Sequence, residues 1–228
     1  MDSNNEYEIV LIENEIDARL CAELLAEEFA LHNPLSIANQ STAQRIFNTW
    51  LSPLIKDALD EKLSFLVRCR LTNEIVAAII GMDLFGYCEK HPYDASSPAS
   101  SNPTADLYDE LRDRFVHHDL EQKLKPNMVL YIAVGATQAQ HSNKGIAARL
   151  RAYLCNYARD TKGFQYAFVQ TGSPATRHIY VNKMNGKELT IVDPATWIWK
   201  RKGDGLSCPL KHYKGDPAVN ILVELQKQ

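Results

Sequence analysis

The sequence predicts an α/β domain built on a mixed sheet, and three observations carry that prediction. Residues 128–137 (MVLYIAVGAT) are apolar without alternation, the pattern of a strand buried on both faces. Strand-like and helix-like segments alternate from there to the C-terminus. Two apolar runs, 64–70 and 74–84, flank Thr72-Asn73 and read as a hairpin, which adds antiparallel pairing to the sheet.

Each element has its own signal. Residues 8–12 form a short apolar first strand, and Asn14 then caps a helix with Glu15 and Asp17 in its first turn, where the helix dipole favours acids. Ile16, Leu20, Leu24, Leu25 and Phe29 keep the helical period until His32-Asn33-Pro34-Leu35, because the residue before a proline avoids the helical region. Ser41 and Gln44 form a capping-box pattern ahead of Ile46, Phe47, Trp50, Leu51, Leu54 and Ile55. Residues 88–104, rich in Ser, Pro, Asn and Asp, read as a loop, and 106–124 as a helix through Leu107, Leu111, Phe115 and Leu120. A helix over 144–159 and a strand over 164–170 follow the central strand. Ser173-Pro174 starts the next helix, with a capping serine and a proline at the first position, and Asn185-Gly186 stops it. Residues 189–192 and 218–225 close the pattern as strands. The whole of 1–228 reads as one domain with an insertion at about 87–127.

Composition narrows the function. The chain has 228 residues, 45% hydrophobic and 23% charged, which suits one sizeable core. No apolar run approaches the roughly 20 residues of a membrane span, and the start, MDSNNEYE, lacks the pattern of a secretory signal. A net charge of −3 gives no general attraction to nucleic acid or to anionic membranes. Five cysteines without a Cys-x-x-Cys spacing fit free thiols in a reducing cytoplasm, and no metal site is predicted. Either a monomer or a homodimer is compatible with these features.

The segment that carries chemistry is LYIAVGATQAQHSNKGIAARL, residues 130–150: a buried strand, a polar loop and a helix start. Free backbone N–H groups at a helix start, with small residues allowing close approach, suit a phosphate or pyrophosphate, and Lys144, Arg149 and Arg151 would add positive charge. A glycine at an ordinary strand-to-helix crossover is the plain alternative.

With the next unit included, the sequence resembles the GNAT acetyltransferase superfamily, which transfers acyl groups from acyl-CoA to amines. Ala136-Thr137 sits at the Ala-Val position that ends the family's central strand. Ser142-Asn143-Lys144-Gly145-Ile146-Ala147 sits at its Gln/Arg-x-x-Gly-x-Gly/Ala loop, matching at Gly145 and Ala147 and departing at Ser142. The family's Asn-x-x-Ala-x-x-x-Tyr helix corresponds to Ser173 through Tyr180, with the tyrosine in register, serine for asparagine and Thr176 for alanine. The resemblance covers the whole strand order. It implies a mostly antiparallel central sheet flanked by helices, with a loop-helix insertion before the central strand. Within the superfamily the chain looks most like the arylalkylamine-type enzymes, which share such an insertion. Their proposed base, a glutamate before a proline, is Asn33 here, and asparagine cannot take a proton from an amine.

The resemblance implies an acetyl-CoA-dependent N-acetyltransferase acting on a small amine, arylalkylamine or polyamine-like, by direct attack in a ternary complex. Acetyl-CoA would lie against Ala136, Thr137, Ser142–Ala147 (Ser142, Asn143, Lys144, Gly145, Ile146, Ala147), Ser173 and Tyr180. Tyr180 is the candidate acid for the departing thiolate; its plain reading is a core tyrosine. Glu27, Glu28 and His32 at the end of the first helix are candidates for the base, each otherwise a solvated helix end. Asn33 and Tyr131 are candidate substrate contacts. An acidic insertion (Asp94, Asp106, Asp109, Glu110, Asp113) would steer cationic amines. His117-His118 read as surface, and Trp197 and Trp199 share one face at strand spacing. A GNAT-like module that binds acyl-CoA without turnover, or one that acetylates protein amines, would share these motifs.

Overall fold

The computed structural model describes residues 6–202 and 207–225. The first five residues, included in the reading of the N-terminus above, lie outside the described residues. Seven strands form one sheet in the order β1-β2-β3-β4-β5-β7-β6. They are β1 (Tyr7–Leu11), β2 (Phe65–Cys69), β3 (Ile75–Asp83), β4 (Val129–Thr137), β5 (Tyr166–Thr171), β6 (Lys187–Val192) and β7 (Ala218–Glu224). Among the described residues only β4 and β5 run parallel; the other five pairings are antiparallel. The sheet is therefore mixed and mostly antiparallel, as expected.

One face of the sheet packs against α7 (Ile146–Lys162), through Ile146, Leu150, Leu154 and Ala158. The other packs against α1 (Glu15–His32), through Ala18, Ala22, Leu25 and Ala26. Strand β4 is buried on both faces, which accounts for its unbroken apolar run. Asn14 caps α1, its side-chain carbonyl accepting from the Asp17 N–H at 2.9 Å. Asn33 then ends α1 and starts the short α2 (Pro34–Ala38).

Several boundaries differ from expectation. The cap of α3 (Ala43–Ile46) is Thr42 rather than Ser41, accepting from Arg45 N–H at 3.2 Å. A π-turn at Phe47–Leu51 carries the chain into α4 (Ser52–Leu59), where Pro53 has no N–H to continue the regular ladder. The expected loop from Cys88 begins later, because Asp83 caps a helix α5 (Leu84–Lys90) with its side chain on the Phe85 N–H at 3.2 Å. Helix α6 (Pro103–Arg114) starts before 106, with Asn102 as cap and Pro103 in its first turn. It ends through a π-turn at Phe115–Asp119. The predicted helix after Ser173 is α8 (Pro174–His178) followed by a π-turn, Ile179–Lys183. Among the described residues, no helix is long and apolar enough to cross a membrane.

Candidate active site

The parallel ladder between β4 and β5 is short. It pairs Val129 with Tyr166 through Ile132 with Val169 and ends there, although β4 continues to Thr137 and β5 to Thr171. Beyond that point each strand pairs only with its outer neighbour, β3 or β7. The register between β3 and β4 shifts at the same place: Gly81 faces Ile132 and Ile80 faces Val134, leaving Ala133 as the extra residue of a bulge. A bulge bends its strand and re-aims the groups beside it. The sheet therefore opens at its centre into a cleft, with β4 backbone groups along one wall.

Three elements border the cleft. The loop after β4 enters α7 with Asn143 and Gly145 both in the left-handed region, at φ 62° and 74°. Gly145 caps α7 without any side-chain bond, and residues Ser142 to Gly145 are exposed. The first N–H groups of a 17-residue helix thus face outward, the arrangement that suits a phosphate. Ile146 is buried beneath the loop, and Ala147 presents no side chain beyond a methyl group. Ala136 and Thr137 close the strand opposite Ala78 and Ala77. The Thr137 hydroxyl is buried without a hydrogen-bond partner.

Tyr180 stands on the π-turn after α8. It is fully buried, and its hydroxyl has no partner. Burial pushes its pKa well above the ordinary phenol value; the Arg151 charge opposes the shift. The turn is held by the Gly186 N–H donating to the Tyr180 carbonyl at 2.8 Å. Only glycine fits there, since a Cβ on Gly186 would lie 2.8 Å from that carbonyl oxygen and 2.9 Å from Ile221. A buried hydroxyl without a protein partner is rare in a folded chain. Two such hydroxyls, on Thr137 and Tyr180, lie near the end of the β4–β5 ladder, with the start of α7 uncapped by any side chain.

At the other side of the loop, Glu28 brings α1 to the end of β4. Its carboxylate accepts from the Ala139 N–H at 3.4 Å and lies 3.7 Å from His32 Nε2. The Glu28 side chain is only 15% exposed, against 55% for His32, so Glu28 is the sheltered member of the pair. Glu27 is exposed.

Other expected contacts are redirected. Lys144 turns away from the helix start: its ammonium lies 3.1 Å from Glu6 and 2.7 Å from the Tyr7 hydroxyl, which also contacts His141 Nδ1 at 2.9 Å. Its charge is spent on the first strand. Arg151 likewise points inward, donating to the carbonyls of Ala147 and Gly135. Ser173 caps α8, accepting from Thr176 N–H at 3.4 Å, and Asn33 caps α2, accepting from Ser36 N–H at 3.0 Å. Both side chains are thereby engaged in holding backbone. Tyr131 is buried and donates to Gln170 at 3.2 Å. Gln170 in turn donates to the Tyr108 carbonyl at 2.9 Å and to Asn220 at 3.3 Å. This chain ties α6 to the sheet.

The carboxylates on the acidic face of α6 are occupied by partners within the fold. Asp106 accepts from Arg201 at 2.8 Å and from the Trp199 indole at 2.7 Å. Glu110 accepts from Lys200 at 2.8 Å and from the Trp197 indole at 3.0 Å. Burial works to raise the Glu110 pKa, and the bonds from Lys200 and Trp197 outweigh it, leaving the group below the ordinary carboxylate value. Asp109 pairs with Arg112 at 2.8 Å, Asp113 with His117 at 3.4 Å, and Asp94 with the hydroxyls of Ser96 and Ser97. The two tryptophans do share a face, and it is the one against α6. His117 and His118 are exposed. Leu35 and the hydroxyls of Tyr108 and Tyr213 lie close to Gly172, which follows β5. Sequence reasoning missed this aromatic corner, since its members come from four separate segments. A wide groove of about 1030 Å³ lies elsewhere, between the C-terminal half of α7 and residues 183–189; none of the predicted site residues lines it.

No family model matches the chain, and no curated protein matches it by sequence. Solved structures match its fold over nearly its full length. The C-terminal condensation domain of Ebony, in complex with beta-alanyl-dopamine, aligns with a TM-score of 0.76 at 16% identity, covering 96% of this chain and 99% of that one. A polyamine N-acetyltransferase of Drosophila melanogaster that forms N-acetylagmatine aligns at 0.67 and 12% identity, covering 95% and 100%. Arylalkylamine N-acetyltransferase 2 from Aedes aegypti aligns at 0.64 and 9% identity, covering 96% and 99%. The chain has the fold of the GNAT acetyltransferases, and its architecture is similar to that of the arylalkylamine and polyamine enzymes among them.

Proposed function

We propose that the chain is an acetyl-CoA-dependent N-acetyltransferase that acts on a small primary amine by direct attack in a ternary complex. The observation that carries this reading is the cleft where the β4–β5 ladder ends, flanked by the buried, unpartnered hydroxyl of Tyr180. The arylalkylamine and agmatine activities named for structures of the same fold add support.

The donor thioester supplies the acetyl group. The β4 stretch past Ile132, free of the β5 ladder, offers backbone N–H groups to the thioester carbonyl oxygen as negative charge grows on it. The exposed start of α7 holds the pyrophosphate. An alkylamine with a pKa of about 10.4 arrives protonated, so a base must remove its proton. Glu28 is our assignment, directly or through one water, with His32 as its outer partner. The amine lone pair then attacks the carbonyl carbon, and the C–S bond breaks as the Tyr180 proton moves to sulfur. An acceptor with an aromatic ring is favoured over a polyamine, because the carboxylates of α6 that would attract a polycation are already paired.

A second reading takes its support from the likeness to the Ebony condensation domain: the acyl group is a β-aminoacyl group, and the product an amide of the beta-alanyl-dopamine type. One assay addresses both. Thiol release is followed with acetyl-CoA and with a β-alanyl thioester, against dopamine, tyramine, agmatine and spermidine. Release with acetyl-CoA and an aromatic amine supports the first reading; release with the β-alanyl thioester alone supports the second. A folded protein that binds neither thioester in a thermal-shift titration refutes both.

A further inference from the structure

Arg151 has no role in the scheme above and is costly to keep. It is 5% exposed, on the face of α7 that packs against the sheet beside Leu150, Leu154 and Cys155. Its guanidinium donates to two neutral acceptors, the Ala147 carbonyl at 3.1 Å and the Gly135 carbonyl at 3.4 Å. Its Nε has no partner, and among the described residues no carboxylate pairs with it. Burying a cation without a counterion is among the most expensive arrangements in a core, and leucine or methionine would fill the same helical position without that cost. The guanidinium carbon lies 5.7 Å from the centroid of the Tyr180 ring.

We propose that Arg151 is a positioning residue for acyl transfer: its buried, unpaired charge stabilises the phenolate that Tyr180 becomes when its proton passes to the departing thiolate. The inference rests on the reading in which Tyr180 is the acid. In that step the amine nitrogen bonds to the carbonyl carbon, the C–S electron pair goes to sulfur, and sulfur takes the proton from the Tyr180 oxygen. The proton shed by the amine leaves through the base, and Tyr180 recovers its own from solvent. Burial alone would make Tyr180 too weak an acid for this, and Arg151 acts in the opposite direction. The other ionisable group facing Tyr180 is Cys155, also from α7; as a thiolate it would raise the Tyr180 pKa, and burial pushes its own pKa up to about 12, so near neutral pH it is the thiol.

The direct test places 3,5-difluorotyrosine at position 180, an acidified phenol whose ionisation is read by ultraviolet absorbance without any turnover. It is titrated in the otherwise unchanged chain and with Arg151→Gln, Arg151→Met and Arg151→Lys. Glutamine keeps a donor to the Gly135 carbonyl without the charge, and serves if the methionine variant does not fold. The expected result is a phenol pKa at least about one unit higher in the glutamine or methionine variant, a tenfold loss of phenolate at fixed pH. Most of this is recovered by lysine. An unmoved titration overturns the assignment.

Kinetics give a second check. Arg151→Gln is expected to lower kcat about tenfold with the KM for acetyl-CoA within twofold, and the double variant with Tyr180→Phe to be no slower than Tyr180→Phe alone. Multiplying defects would overturn the coupling. A wild-type chain that releases no CoA with any amine overturns the proposed function and the role in transfer with it; an unmoved titration in an active enzyme removes Arg151 alone.

Discussion

Around the end of β4, the hydroxyls of Thr137 and Tyr180 and the Nε of Arg151 are buried without partners. Beneath α6, Asp106, Glu110 and Asn220 are equally buried, yet each makes at least two hydrogen bonds, and Gln170 links them to β4 through Tyr131. Arg201 Nε is the exception on that side. Both regions place polar groups in an apolar interior, and an unmade bond there costs about 1–3 kcal/mol. The insertion avoids that cost by pairing, so its polar residues are structural cement. The region around the end of β4 carries it, which on the proposed function is where the thioester binds. Buried polar residues therefore differ between the two regions, and their hydrogen-bond partners distinguish them.

The largest expected effect breaks the comparison at Tyr180. Tyr180→Phe removes a hydroxyl that bonds to nothing, so the melting temperature should hold or rise. Turnover should fall about 10²–10⁴-fold, the usual worth of a positioned acid. Steady-state kinetics beside a thermal melt checks both, and a destabilised variant with normal turnover would make Tyr180 an ordinary core residue. The opposite pattern is expected at the insertion. Asp106→Ala leaves Arg201, whose side chain is 11% exposed, with the longer 3.7 Å contact to Asp109 and removes the acceptor of the Trp199 indole, and should cost about 3 kcal/mol in chemical denaturation. The affinity for acetyl-CoA should be unchanged by calorimetry, since Asp106 lies under α6 and not at the cleft.

This contrast was only partly legible in the sequence. The apolar run of β4, the Asn14 cap and the Ser173-Pro174 start are local signals, and each appears where local physics puts it. The cleft is not local, because it depends on where a ladder between two strands ends. Nor could Lys200 and Arg201 be foreseen as partners of α6, about 90 positions away in the chain. Asn33, Ser173 and Lys144 stand out in the sequence through their match to a pattern of residue types. In the fold, two of them cap helices and the third pairs with Glu6. Arg151 did leave a trace: a charged residue on the apolar stripe of α7, between Leu150 and Leu154, is out of place unless it has work to do there.

A smaller effect sharpens the comparison through backbone fit. Gly186→Ala would push a methyl group against the Tyr180 carbonyl and Ile221, at a cost of about 2 kcal/mol. Because the same contact holds the π-turn, turnover should fall along with stability, unlike in Asp106→Ala. A Gly186→Ala variant that melts lower but keeps full kcat would show that Tyr180 tolerates displacement, which a proton donor to a fixed sulfur should not.

The smallest effect concerns a pair that belongs to neither extreme. Glu61 accepts from the Asp83 N–H at 2.6 Å, and Asp83 accepts from the N–H groups of Asn127 and Phe85, so both carboxylates are partnered. Both nevertheless have raised pKa values: burial leads in each case, and for Glu61 the neighbouring Asp83 charge adds to it. A carboxylate whose folded pKa lies above its unfolded value, about 4, favours the fold while protonated, and that stability is lost as pH rises from the unfolded value through the folded one. Glu61→Gln keeps an acceptor for the Asp83 N–H and removes the charge. It should raise the melting temperature slightly at pH 7, and the gain should vanish below about pH 4, where the glutamate is protonated in both states. A gain that persists in acid would assign the effect to packing and leave hydrogen bonding alone as the measure of whether a buried acid is at rest.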